Sequence, residues 1–307
     1  SLLVCDEAHR CTGRLTKRDA KPLDDALLPA AKRLFLTATP RLIGSSRDAQ
    51  GELRPAGSMD DEALFGRTVF RLGYAEAVRR GLVSPLKLVF LNVSEAYADL
   101  VGSAERLPLD DEVDAPRGLV ELCAAMQDCR RRYGVRTAFA FSADNRRAAA
   151  LEAVARHALA PGGWSVGRVN GTMAPRARAR QLEPLRRAAA ARQRHESGEE
   201  VAEAAEGDDD GAWLVTNCRV LGEGVDVPAV DLVVFADAKQ SHVDILQCMG
   251  RASRLSPGKE YGHVLVPVGV AGAERGGGAF AVPVSVVRAY AEQDEEFREG
   301  LAWVVSE

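Results

Sequence analysis

Apolar residues along this chain gather in two patterns. Short apolar blocks end in acids, hydroxyl residues or glycine, and longer stretches space their apolar positions three and four apart. The first is the pattern of strands buried in a parallel sheet, the second that of amphipathic helices. In the N-terminal part the blocks predict a strand at 2–5, a helix at 27–33 and a strand at 34–36. A polar loop then runs from Arg41 to about Ser58, followed by a strand at 65–72 and a short helix at 74–80 stopped by Gly81. From Pro85 onward, strands are predicted at 86–93, 137–141, 165–169, 213–215, 232–235 and 262–266. Helices are predicted at 119–133 and 143–159, from Pro175, at 243–249, and once or twice within 284–303. Strands and helices alternating in this way build parallel α/β sheets.

Two segments interrupt the alternation. Residues from about 195 to 211 are dense in Glu and Asp, and Gly272 to Gly278 is Gly-rich; both predict surface loops. The acidic run reads as a solvated insertion rather than as a mimic of nucleic acid. The chain therefore divides into a first domain over 1–84, a second over 85–270 and a linker with a helical extension over 271–307.

Composition narrows the classes. At 46% hydrophobic and 27% charged residues the chain is no disordered segment. A net charge of −4 means that any surface for a polyanion must be local. No apolar run approaches the roughly 18 to 20 residues that span a bilayer. The start has neither the basic region and cleavage site of a secretory signal nor an initiator Met, so the chain is expected to be a piece of a longer protein. Six cysteines, with no CxxC pair and no His at zinc spacing, predict packed thiols in a reducing cytoplasm.

Four stretches carry candidate chemistry. Leu2-Leu3-Val4-Cys5 delivers Asp6 and Glu7, then His9, at the carboxyl end of a strand, where parallel sheets bind ligands. An Asp there suits Mg²⁺ beside nucleotide phosphates, and the next acid suits an attacking water. Leu34-Phe35-Leu36 ends in Thr37, Thr39 and Pro40, hydroxyls able to bond the neighbouring acids. Trp213-Leu214-Val215-Thr216 leads into Gly222-Glu223-Gly224-Val225-Asp226, whose glycines allow backbone to approach a ligand. Gln247, Arg251 and Arg254 recur at helical spacing, and guanidinium forks bind phosphate. Each stretch alone also describes an ordinary strand end, turn or solvated helix.

Their order decides between these readings. Asp6-Glu7-Ala8-His9, Thr37-Ala38-Thr39, Gly224-Val225-Asp226 and Gln247-x-x-Gly250-Arg251-x-x-Arg254 resemble motifs II, III, V and VI of superfamily 2 helicases. Phe139-Ala140-Phe141-Ser142 resembles motif IV, and Val169-Asn170-Gly171 a strand-end glycine of the same family. The resemblance covers roughly residues 1 to 268. It is nearest to bacterial DEAD/DEAH-type helicases of the restriction-enzyme and helicase-associated kind. It implies two RecA-like parallel-sheet lobes of the P-loop NTPase type, the first truncated at its N-terminal side. It also implies ATP and Mg²⁺ as cofactors and nucleic acid, DNA rather than RNA, as partner. Asp6 would hold Mg²⁺, Glu7 activate water, and His9 contact the second domain. Thr37 and Thr39 would couple hydrolysis to domain movement. Gln247, Arg251 and Arg254 would reach the γ-phosphate, with Arg254 as the finger, while Gly224 and Asp226 would line the nucleotide. Ser142, Gly171 and Thr216 would touch the nucleic-acid backbone.

One departure is large. The family's Gly-rich phosphate-binding loop ending in Gly-Lys-Thr or Gly-Lys-Ser is not in this sequence. It is expected upstream of Ser1, and the chain by itself is expected not to hydrolyse ATP. The arginines between Arg176 and Arg187 remain open between phosphate contact and a solvated face.

Overall fold

The computed structural model describes residues 1–14, 18–41, 46–47, 53–54, 56–92, 116–197, 211–218, 230–237, 241–268 and 286–291. The chain forms two compact units, Ser1–Leu72 and Gly73–Glu307. The short helix at 74–79, read from sequence as the end of the first domain, therefore belongs to the second unit.

In the first unit, strand β1 (Leu2–Cys5) pairs in parallel with β2 (Lys32–Phe35), in a register that sets Cys5 opposite Phe35. The helix expected at 27–33 is absent. Leu28 N–H reaches Asp24 O at 2.9 Å, but Pro29 follows at once, and the residue before a proline is driven out of the α region. Arg33 closes the turn instead. Its guanidinium donates to Pro22 O and Leu28 O, each at 2.7 Å, and pairs with Asp25 at 2.6 Å. The strand expected at 65–72 is also replaced. Helix α1 (Glu62–Phe65) is capped by Asp61, whose Oδ1 accepts Ala63 N–H at 2.9 Å. Residues 66–73 pair with no described strand, which leaves Val69 71% and Phe70 73% exposed.

The second unit is a six-stranded sheet. Its strands are β3 (Leu86–Asn92), β4 (Thr137–Phe141), β5 (Trp164–Val169), β6 (Ala212–Asn217), β7 (Leu232–Phe235) and β8 (Gly262–Val268). All neighbours are parallel, in the order β3-β8-β7-β4-β6-β5. After helix α2 (Tyr74–Arg79), the helices are α3 (Pro116–Tyr133), α4 (Asn145–Ala158), α5 (Pro175–Ser197) and α6 (His242–Ala252). The central strand β4 shows why the sheet is buried on both faces. Ala138 and Ala140 pack with Leu122, Met126 and Leu151 of α3 and α4. Phe139 and Phe141 pack on the other side with Leu182, Leu185, Ile245 and Met249 of α5 and α6. Small residues thus face one helical layer and large ones the other, following the period of two along a strand. The C-terminal stretch is described only as helix over 286–291, where Val286, Ala289 and Tyr290 join the second of these cores.

Gly262 opens β8 where two backbones nearly touch. A Cβ there would overlap the Ala252 carbonyl oxygen and lie 2.8 Å from a Leu86 methyl. Substitution Gly262→Ala is expected to destabilise the second unit by about 1–3 kcal/mol, the usual scale of overpacking. Chemical denaturation checks this as a lower midpoint at unchanged slope. An unshifted midpoint would mean that the end of α6 yields freely.

Candidate functional site

Within the first unit, β1 ends at Cys5 and the chain turns through Asp6 and Glu7. Glu7 sits at φ 50° and ψ 42°, the one non-glycine residue with positive φ among the described residues. Left-handed backbone at such a residue costs roughly 1–3 kcal/mol and persists only where the surroundings over-determine it. Here they do. Glu7 N–H donates to Asp6 Oδ1 at 2.8 Å, Glu7 O accepts from Arg10 at 2.9 Å, and Ala8 N–H donates to Leu36 O at 2.9 Å. The turn leaves Asp6 exposed and the Glu7 side chain 43% exposed.

The turn also leads into His9, which is 5% exposed. Its Nδ1 lies 3.1 Å from Thr37 Oγ1, 3.4 Å from Thr39 Oγ1 and 3.3 Å from Glu7 Oε2. Thr39 N–H donates to Thr37 Oγ1 at 3.1 Å, holding the two hydroxyls together. One ring nitrogen carries at most one proton, so it serves one of these oxygens at a time while the hydroxyls donate or stand off. The acid turn and the threonine loop are therefore wired through His9. Sequence reasoning aimed the threonine hydroxyls at the acids and His9 at the second domain; the contact found joins threonines to imidazole.

Asp6 offers a single exposed carboxylate with one oxygen already taken by Glu7 N–H. Among the described residues no group of three or more His, Cys, Asp or Glu is placed to hold a metal. This donor set fits Mg²⁺, which keeps several waters and binds one or two carboxylates together with substrate phosphates.

In the second unit α6 presents Gln247, Arg251 and, just past its end, Arg254. Ser241 caps the helix by accepting Asp244 N–H at 3.3 Å, and Ile245, Cys248, Met249 and Ala252 bury its opposite face. Gln247 is half-buried, Arg251 is 6% exposed and Arg254 is exposed. Burial holds the Arg251 guanidinium below its usual range, and the charge of Arg254 adds to the effect. It remains charged at any physiological pH. Two crowded cations, one of them desolvated, form a place that gains when an anion arrives. Gly224 and Asp226 lie outside the described residues.

The carboxyl rim of the sheet gathers the positions expected to meet nucleic acid, since Ser142 follows β4, Gly171 follows β5 and Thr216 lies near the end of β6. Gly171 is exposed. Thr216 has no exposed surface, and its hydroxyl donates to Ala148 O at 3.0 Å, tying α4 to β6. Ser142 is also buried, and its N–H donates to Asn217 O at 2.9 Å. The Thr216 hydroxyl thus ties the rim together, while the Ser142 hydroxyl is buried with no hydrogen-bond partner among the described residues; neither faces outward. Asp237, which sequence reasoning missed, sits on the same rim. It pairs with Arg147, and its Oδ2 accepts Ala143 N–H at 2.8 Å. Its signal was the one that marked Asp6, an apolar strand ending in an acid.

No disulfide joins the described cysteines. Burial pushes the Cys129 thiol up to about 12, so it packs as an inert apolar group. No helix among the described residues is long and apolar enough to cross a membrane.

A six-stranded parallel sheet covered by helices on both faces has the RecA-like α/β fold. Residues 121–256 match the family model described as the helicase conserved C-terminal domain. An uncharacterized protein of Mycobacterium tuberculosis (strain CDC 1551 / Oshkosh) is 27% identical over 270 residues, covering 87% of this chain and 42% of its own. Among solved structures, the ATP-dependent Type ISP restriction-modification enzyme LlaBIII bound to DNA superposes with a TM-score of 0.70 at 24% identity. That match covers 96% of this chain and 20% of the enzyme. A fragment structure of a putative HsdR subunit of a type I restriction enzyme from Vibrio vulnificus YJ016 gives a TM-score of 0.52 at 15% identity, over 89% of this chain and 44% of that one. The chain thus spans less than half the length of each of these proteins.

Proposed function

We propose that the protein to which this chain belongs is an ATP-dependent DNA translocase or helicase that couples ATP hydrolysis to movement along DNA or to strand separation. The observation that carries the reading is the desolvated Arg251 beside Arg254, at the end of a helix inside the stretch that matches the helicase conserved C-terminal domain. Paired guanidinium groups of this kind stabilise the charge that develops on a transferring phosphoryl group. In the reaction, water attacks the γ-phosphorus, the bond to the ADP oxygen breaks, and Glu7 takes the water's proton. Asp6 would hold the Mg²⁺ that accompanies ATP, and that ion would draw charge from the phosphate oxygens. Gln247 would orient the phosphate, and Gly224 and Asp226 would line the nucleotide. Thr37 and Thr39, joined to Glu7 through His9, would pass the state of the acid turn to the rest of the first unit. Gly171 would touch the nucleic-acid backbone, with Ser142 and Thr216 setting the rim that presents it.

The preference for DNA follows the DNA-bound restriction-modification enzyme named above, and a cytoplasmic setting goes with it. The phosphate-binding loop would belong to a segment of the same protein that precedes Ser1. Support comes from the sheet itself. Parallel strands are normally covered on both faces, yet Leu2 is 63% and Val4 51% exposed on β1. A second reading, the motor portion of a restriction-type nuclease, is favoured by the same enzyme likenesses. Its nuclease centre would lie outside the described residues, which hold no cluster of acids suited to metal. A non-catalytic binding module is the third reading.

An ATPase assay on the full-length protein separates them, with single- and double-stranded DNA and RNA compared. Stimulation by DNA above RNA is expected. Turnover indifferent to every nucleic acid would exclude a translocating motor, and no turnover at all would leave a binding module.

A further inference from the structure

Helix α5 bears a stripe of arginine that the nucleotide chemistry does not use. At the helical period, Arg176, Arg180, Glu183 and Arg187 share one side, opposite Leu182 and Leu185. The fold matches this register. Leu182 and Leu185 are fully buried in the core that faces α6, whereas Arg176, Arg180 and Arg187 are exposed. Among the described residues Arg176 and Arg180 meet no acid, and Arg187 reaches Glu183 only at 3.8 Å.

Three solvated arginines on other helices are arranged differently. Arg80 pairs with Glu76, Arg132 with Asp128 and Arg156 with Glu152, in each case one turn apart on the same helix. The first two turns of α5 instead carry Arg176, Arg178 and Arg180 with no acid in the first turn. Like charges one turn apart cost about 0.2–0.5 kcal/mol, and cations at a helix start oppose the macrodipole. Local conflicts of this kind are expected at functional sites, and an anionic partner would relieve this one.

We infer that the Arg176–Arg180–Arg187 stripe is a contact for the phosphate backbone of nucleic acid, additional to the residues of the sheet rim. The inference rests on the reading of the protein as a nucleic-acid motor and extends its track surface. Position supports it. Helix α5 starts at the rim where β4, β5 and β6 end, and Asn170 Oδ1 fixes its entry by accepting Thr172 and Met173 N–H, each at 3.1 Å. The arginines then descend from the rim over about 16 Å, at 1.5 Å per residue, a length that matches roughly five phosphates of one strand. Chemistry supports it too. With the Thr216 and Ser142 hydroxyls turned inward, charged side chains beside the rim must supply the phosphate affinity. Guanidinium groups do this without reading sequence.

The test is the salt dependence of binding by the full-length protein to a fluorescent 20-base-pair duplex and to a 20-nucleotide single strand. Wild type is compared with the triple variant Arg176→Gln, Arg180→Gln, Arg187→Gln. Each phosphate that is no longer neutralised flattens the slope of log affinity against log salt by about 0.9 on duplex and about 0.7 on single strand. The slope of the triple variant should therefore be shallower by about 2–3, with a thermal midpoint equal to or above wild type. Lysine at the three positions should restore the slope. A slope unchanged by the triple variant, while wild type binds, overturns the stripe but leaves the motor reading intact. Failure of wild type to bind any oligonucleotide overturns both.

Discussion

Replacing Arg254 with Ala in the full-length protein is expected to slow ATP hydrolysis by about 10³- to 10⁵-fold, the typical worth of an arginine finger. The fold should tolerate the change. Arg254 lies beyond the end of α6 with its side chain exposed, and its backbone oxygen, which accepts Lys259 Nζ at 2.6 Å, survives the substitution. The charge of Arg254 also crowds Arg251, so its removal relieves the buried guanidinium rather than stranding it. Arg251→Ala would be a poorer probe, because it empties a buried position next to Ala252 and Met249. Single-turnover hydrolysis with bound ATP measured in parallel checks the prediction. The Arg254→Lys variant should remain slow, since an ammonium cannot present a planar fork to phosphate. A loss below tenfold would take the finger role away from Arg254.

Much of the second unit was legible because its strands are apolar and its helices amphipathic. The strands at 137–141 and 232–235 match the observed elements residue for residue, and α5 begins at Pro175 as expected. Strand β6 was read too short for a physical reason. It runs Ala212–Asn217, and its last two residues are polar yet fully buried. Thr216 donates to Ala148 O and Asn217 to Ala140 O, so partners distant in the chain satisfy groups that look solvent-facing in sequence. The first unit was less legible for the opposite reason. Val69 and Phe70 look like strand core but stand exposed, and Pro29 outweighed the helical spacing around it.

The candidate site divides in the same way. Motif residues are close in sequence, so their order and the strand tips they occupy could be read directly. What each side chain touches could not be. His9 meets Thr37 across 28 positions, and nothing local announces that contact. The burial of Arg251 is equally hidden, because it depends on how α6 packs against β7 and β8. Spacing showed which residues share a face, and packing decided which of them keep access to a ligand.

Glu7→Gln isolates the acid turn most cleanly. Turnover should fall by about 10²- to 10⁴-fold, the range for losing a general base, while ATP binding and thermal stability stay near wild type. Gln has the same length and can still present an oxygen to His9, so the link to Thr37 and Thr39 is kept. The left-handed turn is held by main-chain bonds to Arg10 and Leu36 and by the Glu7 N–H to Asp6, none of which involves the substituted carboxylate. What disappears is the one capacity an amide lacks, that of accepting a proton from water. Equilibrium binding of a fluorescent ATP analogue and steady-state phosphate release, measured on the same preparation, separate the two effects. If phosphate release matches wild type, Glu7 is not the base. If binding is lost along with turnover, the carboxylate acts on the bound nucleotide rather than on water.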